Sequence, residues 1–100
     1  MTNPVLDLIA RTRIIAIVRL PALEDAVALS RALLDGGVRV FEFTLTTPGA
    51  TEAITQVSHR LPEVAAGVAA VGVGSVLTPE DAHAAIDAGA TFVVSPVFKP

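Results

Sequence analysis

Apolar residues in this chain fall into short unbroken runs and into longer stretches in which they recur every three or four positions. Unbroken runs rich in β-branched residues are typical of strands that are buried on both faces. The sequence therefore predicts four strands, at 14–18, 38–45, about 68–73 and 91–94.

The stretches between these strands carry the signals of helix ends. A first helix is predicted over 3–11, with Asn3 as its N-cap and Pro4 in the first helical position. Glu24 and Asp25 are predicted to lie in the first turn of a second helix, because carboxylates there suit the positive end of the helix dipole.

Two further helices are predicted by similar signals. Thr47 is predicted to cap the third helix, which Pro62 ends, and Thr78 is predicted to cap the fourth, which ends at Gly89. The resulting order is (α)βαβαβαβ with short connections and no linker. We therefore expect residues 1–100 to form a single, incomplete domain.

A weak internal repeat bears on the architecture. The segment 33–38 resembles the segment 85–90, 52 positions later, which corresponds to two βα units of about 26 residues each. Eight such units would need about 200 residues, the low end for a (β/α)₈ barrel. Four units would be half of a barrel. A doubly wound sheet of the flavodoxin type has the same kind of buried parallel strands, so the pattern alone leaves both architectures open.

Composition and charge exclude several classes of protein. Apolar residues make up 52% of the chain and charged residues 17%, below the usual ~25%, which indicates an ordered interior rather than disorder. The net charge of −3 gives no basic footprint for nucleic acid. No apolar run is long enough for a membrane span and no secretory signal is apparent, so we expect a cytoplasmic protein.

The residue types also limit the chemistry. The chain has no cysteine, hence no disulfide and no thiolate nucleophile or ligand. His59 and His83 fall in predicted helices without a second ligand at metal-binding spacing, so we expect surface histidines and neither a metal nor a cofactor. The single lysine, Lys99, is the second-last residue and a poor candidate for a Schiff base, which needs a desolvated amine.

Polar residues occupy the end of every predicted strand, where α/β proteins gather their binding groups. Glu42 is the most informative of them, because it interrupts an otherwise apolar strand with Phe41 and Phe43 on either side. Alternation places Glu42 on the face opposite to these rings. A carboxylate inside a barrel should have a raised pKa, which suits a general acid and base. The alternatives are a structural ion pair with Arg19 and an edge-strand position that faces water.

Two other strand ends offer binding groups. Arg19 closes the first strand, where its planar guanidinium suits a substrate carboxylate; an ordinary surface arginine remains the alternative. The segment Gly72-Val73-Gly74-Ser75 closes the third strand and exposes backbone amides and a hydroxyl, which can hold an anion. It lacks the nucleotide-binding fingerprint, and a tight turn is the simpler interpretation of this motif.

These strand ends resemble a known family. The segments IIAIVR, GGVRVFEFTLTTPGA, GVGSVLTPEDAHAAIDAGA and FVVSPVF, in this order and spacing, resemble 2-keto-3-deoxy-6-phosphogluconate (KDPG) aldolases, including those that also act on 4-hydroxy-2-oxoglutarate (KHG). The resemblance covers residues 10–100. It implies the first four βα units of a (β/α)₈ TIM barrel, a homotrimer, and metal-free cleavage of a 2-keto acid through an imine on a lysine.

The resemblance also implies roles for particular residues. Glu42 matches the glutamate that shuttles protons during cleavage to pyruvate and glyceraldehyde 3-phosphate. Ser75 replaces a threonine near the pyruvate carboxylate, and Pro96 matches the proline after the fourth strand. Many members hold that carboxylate with an arginine at the position of Thr46. Other members use an arginine that closes strand one, so Arg19 is expected to do this here.

The family lysine belongs to the sixth strand, beyond residue 100, so this chain alone is expected to be inactive. Two alternatives stay open. One is another phosphate-handling barrel, similar to thiamine phosphate synthase, although the buried glutamate argues against it. The other is a non-catalytic half-barrel that associates with itself, in which Glu42 is a structural ion-pair partner.

Overall fold

Three parallel strands and five helices make up the computed structural model, which describes residues 3–20 and 24–95. In chain order the elements are α1 (Pro4–Thr12), β1 (Ala16–Val18), α2 (Ala26–Asp35), β2 (Val40–Thr44), α3 (Ala50–Arg60), α4 (Pro62–Ala65), β3 (Ala70–Gly74) and α5 (Pro79–Ala88).

The caps of the first and last helices confirm the sequence prediction. The Asn3 side chain accepts hydrogen bonds from the backbone N–H groups of Val5 (2.9 Å) and Leu6 (3.2 Å) at the start of α1. Thr78 Oγ1 accepts one from Asp81 N–H (3.1 Å) at the start of α5, which Gly89 ends. Both caps satisfy backbone donors that a helix leaves unpaired in its first turn.

The starts of the two middle helices differ from the prediction. Asp25 lies before α2 as its N-cap, accepting from Ala28 N–H at 2.9 Å, and not in the first turn. Thr47 does not cap α3, which begins after Gly49 in the left-handed region (φ 80°). Instead, the Thr47 hydroxyl accepts a hydrogen bond from the backbone N–H of Leu20, because the buried Thr47 side chain faces the end of β1.

The three strands lie side by side in the order β1-β2-β3. Glu42 on β2 pairs with Ile17 on β1 and with Gly72 on β3. The predicted limits were too wide for β1 and β2 and too early for β3. Sequential order is that of a (β/α)₈ barrel, whereas a flavodoxin-type sheet would place β1 between the next two strands.

The predicted fourth strand runs parallel to β3 over residues 91–94. Val71 O accepts from Thr91 N–H (3.0 Å), Phe92 O accepts from Val73 N–H (3.1 Å), and Val73 O accepts from Val94 N–H (2.8 Å). Only Val73 and Val93 form a regular bridge, so the described sheet has three strands and a short parallel neighbour.

The two faces of the sheet are covered unequally. Phe41 and Phe43, both fully buried, pack with β3 valines under α2, α3 and α5. On the other face, α1 covers only the N-terminal end of the strands, where Leu8 meets Val40. On this inner face the residues of β2 and β3 are buried, whereas Ile17 of β1 is 63% exposed. No described helix is long and apolar enough to span a bilayer.

A bidentate ion pair joins α2 to α4. Arg31 Nη1 and Nη2 donate to the two carboxylate oxygens of Glu63 at 2.5 and 2.8 Å. The hydrogen bond from Arg31 is the main cause that lowers the pKa of Glu63 to about 2. Since this pKa is below the unfolded value, the ionised carboxylate stabilises the fold above that value, and the stabilisation is lost as the pH falls toward 2.

We therefore expect Glu63→Gln to lower the urea midpoint at pH 7, because it removes the charged partner of Arg31. The difference from wild type should shrink as the pH falls from about 4.5 toward 2. Glu52→Gln is the matched control, since Glu52 is exposed on α3 and forms no ion pair within the described residues. A difference that is independent of pH would contradict the role of this pair.

Candidate active site

Glu42 lies in the middle of β2 and points to the inner face, as the alternation of the strand predicted. It is 4% exposed and forms no hydrogen bond or ion pair with any residue of 3–20 or 24–95. Burial raises its pKa, and the positive charge of Arg19 opposes this rise in part. A raised pKa moves a carboxyl group toward the range in which it can both accept and release a proton during a reaction.

The carboxylate has room because β3 presents glycines to it. A Cβ on Gly74 would collide with Oε1 of Glu42 and lie 3.0 Å from its carboxyl carbon. A Cβ on Gly72 would lie 2.5 Å from the ring of Phe92. Both glycines belong to the strand itself, and the chain turns only at Ser75, which has φ 60°. The tight-turn interpretation of this motif was therefore wrong for the glycines.

Arg19 and Ser75 meet above the end of β2. Arg19 follows β1 and Ser75 follows β3, and Nη2 of the arginine donates to Oγ of the serine at 3.5 Å. Arg19 forms no ion pair with Glu42, so the structural pairing that the sequence left open is absent from these described residues. The exposed guanidinium is free to face an anion that enters from solvent.

Three threonine hydroxyls complete this end of the sheet. Thr44 Oγ1 lies 3.0 Å from that of Thr46 and 3.3 Å from that of Thr47. Thr47 Oγ1 also accepts from Leu20 N–H at 3.1 Å, which ties the segment after Arg19 to β2. Thr46 is exposed at the rim, whereas Thr47 is buried.

The structure thus brings four of the five predicted site residues to one end of the sheet, namely Arg19, Glu42, Thr46 and Ser75. Pro96, the fifth, lies outside the described residues, as does Lys99. His59 and His83 are exposed on helices. Among the described residues no group of three or more histidine, aspartate or glutamate side chains could hold a metal.

Gly72, Gly74, Phe92 and Thr47 also shape this site, and none of them was among the predicted site residues. The signal for the glycines was present, because two glycines two positions apart must share one face of a strand. Which side chain they face depends on the register between strands, and the sequence does not show it.

Together these groups suit a particular kind of substrate. A guanidinium and a hydroxyl can hold a carboxylate, and a buried carboxyl group a short distance below them can move a proton to or from the neighbouring carbon or oxygen.

Comparison with known proteins indicates the family of this chain. The family described as "KDPG and KHG aldolase" matches residues 5–100. The 2-dehydro-3-deoxy-phosphogluconate aldolase of Treponema pallidum (strain Nichols) is 44% identical over 96 residues, which are 96% of this chain and 43% of that protein. The KHG/KDPG aldolase of Escherichia coli (strain K12) is 40% identical over 83 residues, 83% of this chain and 37% of that protein.

A solved structure is similar to this chain as well. KDPG aldolase from Legionella pneumophila, with pyruvate captured as a covalent carbinolamine intermediate, superposes with a TM-score of 0.78 at 31% identity. The match covers 98% of this chain and 45% of that one. The chain therefore spans less than half the length of the relatives it matches.

Proposed function

The chain belongs to the KDPG and KHG aldolase family, and we propose that it is the N-terminal half of a (β/α)₈ barrel that cleaves 2-keto-3-deoxy-6-phosphogluconate to pyruvate and glyceraldehyde 3-phosphate. The observation that carries this proposal is the buried Glu42, with its raised pKa, on the inner face of a sequentially ordered parallel sheet. The shorter substrate 4-hydroxy-2-oxoglutarate is included in the proposal.

Glu42 supplies the proton transfers of this reaction. A lysine from the second half of the barrel forms an imine with the C2 carbonyl, which creates an electron sink. Glu42 takes the proton from the C4 hydroxyl, the C3–C4 bond breaks, and its electrons move into the imine to give an enamine. The protonated Glu42 then returns the proton to C3, and water releases pyruvate from the lysine.

In this proposal Arg19 and Ser75 bind the carboxylate of the pyruvate portion, and Thr46 and Pro96 also take part in substrate binding. The contact between Arg19 and Ser75 at 3.5 Å supports a shared binding site, since one anion can reach both. Arg19 takes the place of the arginine that many relatives carry at the position of Thr46.

We expect Arg19→Ala to raise the KM for the keto acid by about 10- to 100-fold, the usual loss for a hydrogen bond to a charged group. Steady-state kinetics and pyruvate binding measure this effect. Arg11→Ala is the control, because Arg11 is exposed on α1 at the opposite end of the sheet. An unchanged KM for Arg19→Ala would show that another group holds the carboxylate.

The proposed function is tested on the full-length protein. Purified enzyme should release pyruvate from KDPG in an assay coupled to lactate dehydrogenase. Borohydride should trap pyruvate on a single lysine, which mass spectrometry of peptides locates. Absence of both cleavage and a trapped adduct would overturn the proposal.

Residues 1–100 expressed alone should show no cleavage, because the imine-forming lysine is absent. The exposed apolar residues on and beside β1, namely Ile14, Ile15 and Ile17, should instead cause self-association. Measurable cleavage by this fragment would show that the second half is not required.

For the full-length protein we propose a homotrimer in the cytoplasm, and sedimentation equilibrium measures the assembly.

A further inference from the structure

We propose that Gly74 is a positioning residue for Glu42, because its missing side chain lets the carboxylate rest against the backbone of β3. This inference rests on the proposed aldolase function for its catalytic meaning. Its geometric basis is independent of that function.

The register of the sheet shows how the carboxylate reaches Gly74. Glu42 pairs with Gly72. Toward the C-terminal ends of the strands, the next pair of residues on the inner face is Thr44 with Gly74. A Cβ on Gly74 would nevertheless collide with Oε1 of Glu42 and lie 3.3 Å from Cγ2 of Thr44. The Glu42 side chain therefore leans one level toward the end of the strands, where Arg19 and Ser75 lie.

The space beside Glu42 at its own level of the sheet is filled, so the carboxylate has no equivalent place over Gly72. The ring of Phe92 lies over Gly72, and a Cβ on that glycine would be 2.5 to 2.6 Å from three ring atoms. Phe92 packs in turn on Val40, Ala70 and Leu8. These apolar side chains cover the inner face on the N-terminal side of Glu42 and exclude water from the carboxylate there.

Space, and not backbone conformation, requires glycine at these two positions. The glycines with positive φ are Gly37, Gly49, Gly67 and Gly89, and neither Gly72 nor Gly74 is among them. Both have ordinary strand geometry that an alanine could adopt. An alanine at position 74 would meet the far end of a flexible side chain, so the carboxylate would move while the strand remained in place.

The first test measures catalysis. In D₂O the full-length enzyme should exchange the methyl protons of pyruvate, because Glu42 protonates and deprotonates C3 of the imine. We expect Gly74→Ala to slow this exchange by about 100-fold, the cost of a displacement on the order of 1 Å. Trapping of the pyruvate imine by borohydride, which does not use this proton transfer, should change by less than threefold, about the size of a 0.6 kcal/mol effect.

Gly36→Ala is the matched control for this substitution. Gly36 has φ −81°, and a Cβ there would make only ordinary contacts, at 3.4 Å to Ala32 O and 3.6 Å to Leu33 O. It lies at the end of α2, away from Glu42. Both proton exchange and trapping should stay at the wild-type level in this variant.

The second test is a double-mutant cycle on unfolding, which does not depend on activity. Gly74→Ala should raise the unfolding equilibrium constant on the order of tenfold when Glu42 is present, and much less in a Glu42→Ala background, where the carboxylate is gone. Urea unfolding at a fixed protein concentration measures both. If Gly74→Ala fails to fold in the presence of Glu42, Glu42→Ala should restore folding.

The outcomes separate the two proposals. A wild-type enzyme that neither exchanges protons nor traps pyruvate overturns the proposed function and the catalytic role of Gly74 with it. A wild-type enzyme that exchanges protons, and a Gly74→Ala variant that matches it, overturns this inference alone. An equal effect of Gly74→Ala in both backgrounds, or failure to fold in both, overturns the steric contact itself.

Discussion

Replacing Glu42 with glutamine in the full-length enzyme is expected to lower kcat for aldol cleavage by about 10²–10⁴-fold, the usual contribution of a positioned general acid and base. Glutamine has nearly the same shape as glutamate but cannot accept the proton of the C4 hydroxyl or return one to C3. It can still occupy the space that Gly74 leaves open. Binding of the keto acid, which we propose depends on Arg19 and Ser75, should therefore change little.

Single-turnover kinetics with borohydride trapping would separate the steps. The imine should form at close to the wild-type rate and then persist, because cleavage of the C3–C4 bond is the step that needs the carboxylate. Steady-state assays should show a loss in kcat with KM within a few fold. A variant that retained kcat would show that another group carries the proton.

The same substitution should alter stability in a direction that depends on pH. Burial raises the pKa of Glu42, so the native state disfavours the ionised form relative to the unfolded chain. Wild type should therefore lose stability relative to Glu42→Gln as the pH rises from the ordinary glutamate value through the raised one. Arg19 is the charged group that faces Glu42 among the described residues, and it reduces this effect.

Urea midpoints of wild type and Glu42→Gln at pH 4 and pH 8 measure this dependence. The urea midpoint of Glu42→Gln relative to that of wild type should be higher at pH 8 than at pH 4. The difference between Glu52→Gln, at an exposed helix position, and wild type should be the same at both pH values. A difference between Glu42→Gln and wild type that is the same at both pH values would show that the carboxyl group of Glu42 is not desolvated in the folded protein.

Local patterns predicted the strands and the face on which Glu42 lies. Successive side chains in a strand point to opposite faces, so three adjacent residues are enough to place Glu42 on the face opposite to Phe41 and Phe43. The caps at Asn3 and Thr78 were also local, since each side chain bonds to a backbone N–H two or three residues ahead.

The features that the sequence did not show depend on contacts between distant segments. The pairing of Glu42 with Gly72 is set by register, and no local pattern encodes it. Thr47 has the residue type and spacing of a helix cap, but its hydroxyl is used by Leu20, 27 positions earlier. A hydroxyl can satisfy either partner, and tertiary packing decides between them.

The combination of site residues was also not fixed by local pattern. Arg19 and Ser75 lie 56 positions apart and meet only because β1 and β3 flank β2. The family resemblance supplied this expectation, and the structure adds that Glu42 is not neutralised by a direct ion pair with Arg19. A glutamate without such an ion pair is what the proposed proton transfer requires.

Phe43→Ala is expected to cost about 3–5 kcal/mol of the free energy of unfolding, the range for removing a buried aromatic ring. Phe43 is fully buried between the sheet and the helices. Its ring meets that of Phe41 edge to face, with centroids 6.2 Å apart and an interplanar angle of 88°, a contact worth about 0.5–1.5 kcal/mol beyond burial. Phe43→Leu, which keeps most of the apolar volume, should cost much less.

Substitutions at these two neighbouring residues should thus affect different properties, stability for Phe43 and catalysis for Glu42. Phe43 points away from the inner face, so the Phe43→Ala molecules that remain folded should keep the wild-type kcat and the wild-type pH profile. Glu42→Gln should keep the fold and lose the chemistry. Activity per folded molecule, from kinetics and urea unfolding on the same samples, tests this separation. A loss of kcat in folded Phe43→Ala beyond a few fold would mean that the outer core also holds Glu42 in place, and that the two faces of β2 are not independent.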